Sequence, residues 1–116
     1  MTLWTPPGVC EPRARSYPRG VRGPVRRAIY DSVLVVGIPY AVMLRIARCE
    51  SHLDPDASNG THFGLYQFAP MTFLQGATYL YRDVGILART YWSGRDSSYV
   101  AAYLFAIGHS PQWACR

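Results

Sequence analysis

Apolar residues recur at helical spacing over most of the 116-residue chain, and glycine or proline interrupts the pattern between stretches. Gly37 suits the position just past a helix, and Pro39 suits the first turn of the next helix. Pro70 marks another start in the same way, and Asp96 or Ser97 can cap a later helix. The pattern therefore predicts helices over residues 25–36, 40–51, 70–81, 84–92 and 97–107.

Turn formers dominate the stretch between the second and third predicted helices. Residues 54–60 read Asp-Pro-Asp-Ala-Ser-Asn-Gly, and aromatic residues follow up to Phe68. This composition predicts a loop and a short strand-like segment, in which Gly64 permits close approach of the backbone to a ligand. Asp54 and Asp56 are first of all turn residues here, although either could supply a second carboxylate to a reaction.

The first 24 residues differ from the rest of the chain, because proline and arginine dominate them and periodic apolar residues are rare. Proline resists both helix and sheet. We expect an extended arm over residues 1–24 and one folded domain over residues 25–116, with enough apolar content for a single core. The arm is either a coil packed loosely over the domain or an electrostatic anchor.

The formal net charge of +5 favours contact with a polyanion, a class that includes cell-wall polymers, nucleic acid and membrane surfaces. Charge alone does not choose between them. Residues 33–44 form the main apolar run and are too few to span a bilayer. The N-terminus has neither a basic start nor an apolar core, so no signal peptide is predicted.

Glu50 stands at the polar end of the second predicted helix. Tyr40, Met43, Leu44 and Ala47 are spaced so that they share one helix face, and Glu50 continues that face one turn later. An ionisable group steered toward the core costs free energy unless it is neutralised or paired. A glutamate at this position is therefore either a satisfied cap or a functional acid, and the helix pattern leaves both open.

The residues around Glu50 resemble a known catalytic motif. Residues 46–73 contain Glu-Ser, then Pro-x-Ala with a glycine, then Gly-Leu-x-Gln ending at Gln67. This order resembles the catalytic motif of the soluble lytic transglycosylases, relatives of goose-type lysozyme that cleave peptidoglycan glycan strands. The cysteine directly before the glutamate, the Gln-Phe pair and the Trp-x-Cys at residues 113–115 also resemble the catalytic domain of actinobacterial resuscitation-promoting factors.

The resemblance implies an α+β, mainly α-helical, lysozyme-like fold with a small loop or β-hairpin segment after the helix that carries the acid. It also implies a glycosidase that acts on the β-1,4 bond between N-acetylmuramic acid and N-acetylglucosamine. Glu50 would be the general acid and base, and the product would carry 1,6-anhydro ends.

Other functions stay open beside this one. Water in place of the sugar's own C6 hydroxyl would make the same site a hydrolytic lysozyme. A chain that kept the fold without the chemistry would be a non-enzymatic cell-wall-binding or virion structural protein. A nucleic-acid binder is a further alternative that depends on the basic arm alone.

The same resemblance implies a set of substrate-binding residues, namely Ser51, Ser58, Gly64, Leu65, Tyr66, Gln67, Thr72 and Tyr103. The hydroxyl of Tyr103 would contact the catalytic acid, although Leu104 stands where the family has asparagine. Ser51 and Ser58 could equally cap local backbone. Several aromatic residues could stack on sugar rings, but aromatics at helical spacing are most often core. These are Tyr66, Phe73, Tyr79, Tyr81, Tyr91 and Trp92.

The cysteines of the chain are Cys10, Cys49 and Cys115. The resemblance implies a disulfide between Cys49 and Cys115, which leaves Cys10 over. A zinc site made of Cys49, His52, His109 and Cys115 is an alternative, but the spacing from His109 to Cys115 is wrong for a ligand pair. We expect no cofactor and no metal.

The expected partners follow from the resemblance and the charge. They are peptidoglycan glycan strands and, through the basic arm, anionic cell-wall polymers, while nucleic acid is not an expected partner. We expect a monomer that works outside the cell or in the cell wall. It would be a secreted mature form, a phage endolysin or a virion-associated protein.

Overall fold

The computed structural model describes residue 14, residues 16–109 and residue 113. Over this part of the chain it contains four α-helices, which are α1 (Gly23–Val36), α2 (Tyr40–Ser51), α3 (Pro70–Val84) and α4 (Gly94–Ala106). Helix α1 makes its most extensive contacts with α4, while α4 also packs on α3 and α2 packs on α1. None of the described helices is long and apolar enough to cross a membrane.

Every helix contributes to one apolar core, which also takes in residues from the loop after α2. The largest fully buried apolar side chains are Ile29, Met43, Ile46, Leu65, Tyr66, Leu80, Tyr99 and Val100. Gly76 lets α3 approach α4 closely, since a Cβ atom added there would lie 2.7 Å from Cγ1 of Val100. The predicted single core is therefore built mainly by helix-on-helix packing.

The structure confirms the predicted turn between the first two helices. Gly37 adopts a left-handed conformation with φ of 86°, and its N–H donates to the carbonyl of Val33 at 2.7 Å. Pro39 is the capping residue before α2, so the predicted helix over residues 40–51 begins and ends where the apolar pattern places it. The first helix begins two residues earlier than predicted, and the third continues to Val84.

Part of the predicted arm lies within the described residues and contacts α1. The Tyr17 hydroxyl donates to the Asp31 carboxylate at 2.9 Å, and the Tyr17 ring meets Tyr30 edge to face at 5.7 Å. The guanidinium of Arg27 lies 4.9 Å from the centre of the Tyr17 ring. Val21 is buried. Residues 16–22 therefore contact the helical body, while most of the predicted arm lies outside the described residues.

The predicted α+β, lysozyme-like fold class is wrong, because the described residues form only helices and connecting segments. Residues 52–69, named the motif loop hereafter, contain single β-bridges from Phe63 to Ser58 and to Phe68, but no strand and no β-hairpin. Gly60, Gly64 and Gln67 have positive φ angles. Each of them turns the backbone out of the extended conformation that a ladder of hydrogen bonds requires.

The predicted helix over residues 84–92 is also wrong. Gly85 ends α3 in a left-handed conformation, and its N–H lies within bonding distance of the Leu80 and Tyr81 carbonyls. Residues 85–93, named the linking segment hereafter, then run irregularly to α4. The N-cap of α4 is Ser93, whose hydroxyl accepts the N–H of Asp96 at 3.0 Å, so the predicted caps at Asp96 and Ser97 lie inside the helix.

Candidate functional site

Glu50 lies in the last turn of α2, at the edge of the buried face of that helix. Met43, Ile46 and Ala47 on this face are fully buried, and Glu50 is half-buried one turn further along. His52 and Leu53 both adopt left-handed conformations directly after the helix, with φ angles of 56° and 63°. The chain therefore reverses sharply beside Glu50, and the carboxyl sits at the rim of the core, partly open to solvent.

Ser51 joins the end of α2 to the motif loop. Its hydroxyl oxygen lies 2.7 Å from the Leu65 carbonyl and 3.1 Å from the Ala47 carbonyl, and it accepts the N–H of Asp54 at 3.2 Å. The side chain is buried. Because a buried hydroxyl with these partners is satisfied by the protein, Ser51 fixes the loop against the helix end rather than facing a substrate.

Gly64 brings the motif loop into contact with the linking segment. Its φ angle is +84°, and a Cβ atom added there would lie 2.0 Å from the carbonyl oxygen of Tyr91. Its N–H donates to the Ala57 carbonyl at 2.8 Å. The close backbone approach that the glycine permits is therefore to Tyr91, and not to a ligand as predicted.

Gln67 links the second half of the motif loop to Ala57 in its first half. Its side-chain nitrogen donates to the carbonyls of Ala57 at 3.0 Å and Gly64 at 2.8 Å. The residue has a positive φ angle of 52° and is only 7% exposed. The structure therefore gives the glutamine of the motif a role in shaping the loop.

Leu65 and Tyr66 are fully buried and belong to the core rather than to an open groove. The Tyr66 hydroxyl donates to the Met43 carbonyl at 2.9 Å, and burial raises the pKa of this hydroxyl well above its usual value. The indole N–H of Trp113 donates to the Tyr66 carbonyl at 2.9 Å. These contacts connect the motif loop both to α2 and to the C-terminal part of the chain.

Tyr103 lies on α4, and its side chain contacts the end of α3. Its hydroxyl donates to the carboxylate of Asp83, which Arg82 also holds with bonds of 2.6 and 2.8 Å. The hydrogen bonds from Arg82 and Tyr103 lower the pKa of Asp83 to about 2. The hydroxyl that was expected to contact Glu50 is therefore bound to Asp83.

The remaining predicted polar residues occupy local positions. Ser58 is exposed, and its hydroxyl accepts the N–H of Gly60 at 3.1 Å. Thr72 is half-buried in the first turn of α3. Asp54 makes the expected turn, because its carboxylate accepts the N–H of Asp56 at 2.9 Å.

Cys49 is exposed and disulfide-bonded. Cys10 and Cys115 lie outside the described residues, so the pairing of Cys49 with Cys115 stays a prediction. A sulfur in a disulfide cannot serve as a zinc thiolate, which argues against the alternative zinc site. Within the described residues, no three histidine, cysteine, aspartate or glutamate side chains come together as a metal site would require.

Three aromatic residues, named the aromatic ledge hereafter, lie where the motif loop meets the linking segment. Phe63 stacks on Tyr91 with ring centres 5.1 Å apart and an angle of 18° between the planes. Trp92 contacts both rings edge to face at 5.6 and 5.3 Å, and it is 43% exposed. Sequence reasoning could not separate these rings from core aromatics, because their exposure depends on the irregular path of residues 85–93.

A separate cleft of about 660 Å³ opens between the start of α1, the turn after α2 and the start of α4. Tyr17, Arg27, Asp31, Pro55 and Arg95 are among its lining residues. No predicted site residue lines this cleft. The cleft is lined by both acidic and basic residues, and its Asp31 already accepts a hydrogen bond from the Tyr17 hydroxyl.

No protein-family model, no curated protein and no solved structure matches this chain. The likeness to lytic transglycosylases therefore depends on the motif residues of the sequence alone.

Proposed function

We propose that this protein cleaves peptidoglycan at the β-1,4 bond between N-acetylmuramic acid and N-acetylglucosamine, with Glu50 as the catalytic acid. One observation carries the proposal: the separate parts of the motif pack together around the end of the helix that presents Glu50. Ser51 binds the Leu65 carbonyl, and both Gly64 and Gln67 bind the Ala57 carbonyl. The motif is thus a physical unit at the end of the helix that carries the half-buried Glu50.

The chemistry needs one group that serves twice. The Glu50 carboxyl first gives its proton to the glycosidic oxygen, and the bond from that oxygen to C1 of the muramic residue breaks. The resulting carboxylate then accepts the proton of the same residue's C6 hydroxyl as that oxygen bonds to C1. The products are a free 4-hydroxyl and a 1,6-anhydro end, and Glu50 regains its proton.

A single carboxyl is consistent with the surroundings of Glu50. Asp54 and Asp56, the acids of the motif loop, are exposed, and Asp54 is engaged in the turn. Glycosidases that use a substrate acetamido group manage without a second protein carboxylate. In this proposal α2 supplies the acid, the motif loop supplies the frame beside it, and the substrate supplies the nucleophile.

Two features support a site of action outside the cytoplasm. Cys49 is disulfide-bonded, and disulfides persist mainly in oxidising compartments. The net charge of +5 favours contact with the anionic polymers of a cell wall. These features support the proposal that the protein acts outside the cell, at or in the wall.

The decisive experiment replaces Glu50 with glutamine, which preserves the shape of the side chain but cannot donate a proton. We expect cleavage of purified peptidoglycan to fall by about a hundredfold to ten-thousandfold, because general acid catalysis contributes about that much. The thermal midpoint should stay close to that of the parent. Asp54→Asn and Asp56→Asn are the matched controls and should retain most of the activity.

Mass spectrometry of the released muropeptides identifies the reaction. Anhydro ends support the transglycosylase, whereas reducing ends indicate a hydrolytic lysozyme. Cleavage by Glu50→Gln at nearly the parental rate would show that Glu50 is not the acid.

A further inference from the structure

The aromatic ledge is an exposed surface built from two segments that are distant in sequence. Phe63 comes from the motif loop, and Tyr91 and Trp92 come from the linking segment. Trp92 leaves 43% of its surface open to solvent although it is among the largest apolar side chains. Exposed aromatic surface of this kind, rimmed by polar residues, is typical of ligand-binding sites.

The ledge is held rigidly from beneath. The Tyr91 carbonyl accepts the hydroxyl of Ser97 at 2.8 Å, and Phe73 meets the Tyr91 ring edge to face at 5.7 Å. The backbone N–H of Trp92 donates to the Thr90 hydroxyl at 3.1 Å. A ligand that binds a surface ordered in advance does not have to meet the cost of ordering it, which favours affinity.

Polar side chains lie next to Phe63 in the chain. Asn59 accepts the N–H groups of Thr61 and His62 at 3.0 and 2.8 Å, and the Thr61 hydroxyl lies 2.9 Å from the His62 ring nitrogen. Asn59 and Thr61 are exposed. Amide, hydroxyl and imidazole groups thus directly precede Phe63 in the chain. Together with a flat apolar surface they suit a sugar ring, which has an apolar C–H face and hydroxyl groups around its edge.

We propose that Trp92, supported by Phe63 and Tyr91, stacks on one pyranose ring of a bound glycan strand. Its position favours this ligand, since Phe63 belongs to the loop that Ser51 fixes to the helix end carrying Glu50. The motif loop thus joins the ledge to the helix end that carries Glu50. The choice of a peptidoglycan strand as the ligand depends on the function proposed above.

Binding is measured with the full chain carrying Glu50→Gln, so that cleavage does not consume the ligand, and with a β-1,4-linked N-acetylglucosamine tetrasaccharide as the probe. We expect Trp92→Ala to raise the Kd for this probe at least about tenfold, as truncation of a central aromatic anchor does. Trp92→Phe should recover part of the affinity, because it restores a flat ring. The indole N–H signal of Trp92 should move during an NMR titration of the same Glu50→Gln chain with this probe.

Tyr81→Ala is the matched control. Tyr81 is a 51% exposed aromatic on α3, away from the ledge, and its loss should leave the Kd unchanged. An unchanged Kd in a folded Trp92→Ala variant would overturn the stacking role, as would a dependence on Trp92 seen only with single-stranded DNA and not with the saccharide. Failure of the proposed function would be a separate result, since it would appear as undiminished cleavage by Glu50→Gln. The saccharide-binding measurement would still test the stacking role of the ledge.

Discussion

The motif loop and the linking segment are both irregular, yet they are held in place by different parts of the chain. In the motif loop the contacts come mainly from within: Gln67 binds the carbonyls of Ala57 and Gly64, and Asn59 accepts two nearby N–H groups. In the linking segment they come from the next helix. The Asp96 carboxylate accepts the N–H groups of Arg89 and Thr90 at 2.8 and 3.2 Å.

This difference decides how much of each segment a sequence can reveal. A loop held by its own side chains carries turn formers and cap residues within a short window, where local rules apply. When a later helix holds a segment in place, the residues responsible lie outside that segment, and local rules do not find them. Residues 85–92 also contain enough apolar positions to suggest a helix. The two segments then depend on each other where Gly64 passes the Tyr91 carbonyl.

The contact between the segments is the most sensitive point, and Gly64→Ala tests it. The new Cβ would lie 2.0 Å from a backbone oxygen, at a φ angle of +84°. Relief of this clash requires a movement of the backbone in one of the two segments. We expect a loss of unfolding free energy of about 3 kcal/mol or more, the range of severe backbone conflicts. Urea denaturation measures it.

Gly85→Ala measures the conformational cost of a left-handed alanine without the steric clash that Gly64→Ala introduces. Gly85 has nearly the same φ angle, +79°, but a Cβ atom there meets nothing within 4 Å. Only the penalty of a left-handed alanine remains, about 1 kcal/mol. Equal losses in the two variants would show that the segments do not constrain each other.

Asp96→Asn tests the hold of α4 on the linking segment. The carboxylate accepts two backbone N–H groups through one oxygen and the Arg95 guanidinium at 2.8 Å through the other. An amide offers a single acceptor oxygen, so buried donors lose partners. We expect a destabilisation of about 2 kcal/mol, within the range for unsatisfied buried polar groups.

Hydrogen exchange locates the effect of this substitution. The amides of Arg89 and Thr90 should exchange faster than those of the motif loop in Asp96→Asn. Asp83→Asn is the control, because Asp83 is a surface carboxylate at the end of α3 and should not alter exchange in residues 85–93. Uniform acceleration over both segments would contradict the separate origins of their order.

The four helices of the described residues and their core followed from local patterns, whereas the fold class and the irregular path of residues 85–93 did not. The helix over residues 40–51 was predictable because its apolar stripe, Gly37 and Pro39 all agree. The β-hairpin was implied by resemblance alone. It is missing because positive φ angles at Gly60, Gly64 and Gln67 interrupt the extended backbone, and a sequence shows such angles only as a preference at the glycines.

The place of Glu50 followed from the sequence, whereas the contacts of the other motif residues did not. The apolar spacing put Glu50 on the inward face of α2, and the residue lies there half-buried, one turn beyond the buried Ile46 and Ala47. Ser51, Leu65, Tyr66 and Gln67 act through buried contacts that shape the loop. Side chains that recur in a motif can be required for the frame as well as for the ligand, and burial separates the two roles.

Ser51→Ala tests whether the serine of the motif belongs to the frame. Its removal leaves the Leu65 carbonyl and the Asp54 N–H without their side-chain partner. We expect a loss of about 1 to 2 kcal/mol of stability, with reduced cleavage that follows the displacement of Glu50. Ser58→Ala is the control at an exposed motif serine and should change neither quantity, as unfolding and cleavage assays will show.

Tyr66→Phe is expected to change stability at neutral pH only slightly. Its dependence on pH tests how firmly the motif loop is packed against the core. The substitution removes the hydroxyl that donates to Met43, a cost of about 1 kcal/mol for one buried hydrogen bond. Burial raises the pKa of the folded Tyr66 well above 10.0, so this residue's contribution is complete below that pH. Above it the unfolded chain releases the proton while the folded chain keeps it, and stability falls as pH rises.

The decline specific to Tyr66 approaches about 1.4 kcal/mol per pH unit above the unfolded pKa, which is the value for one proton. Tyr66→Phe removes this component, so its stability should fall less steeply than the parent's above about pH 10. Tyr81→Phe, at an exposed position on α3, is the control and should leave stability at neutral pH unchanged. Parallel curves for Tyr66→Phe and the parent at high pH would mean that Tyr66 is not sealed in the core, and that the motif loop opens more readily than its internal contacts indicate.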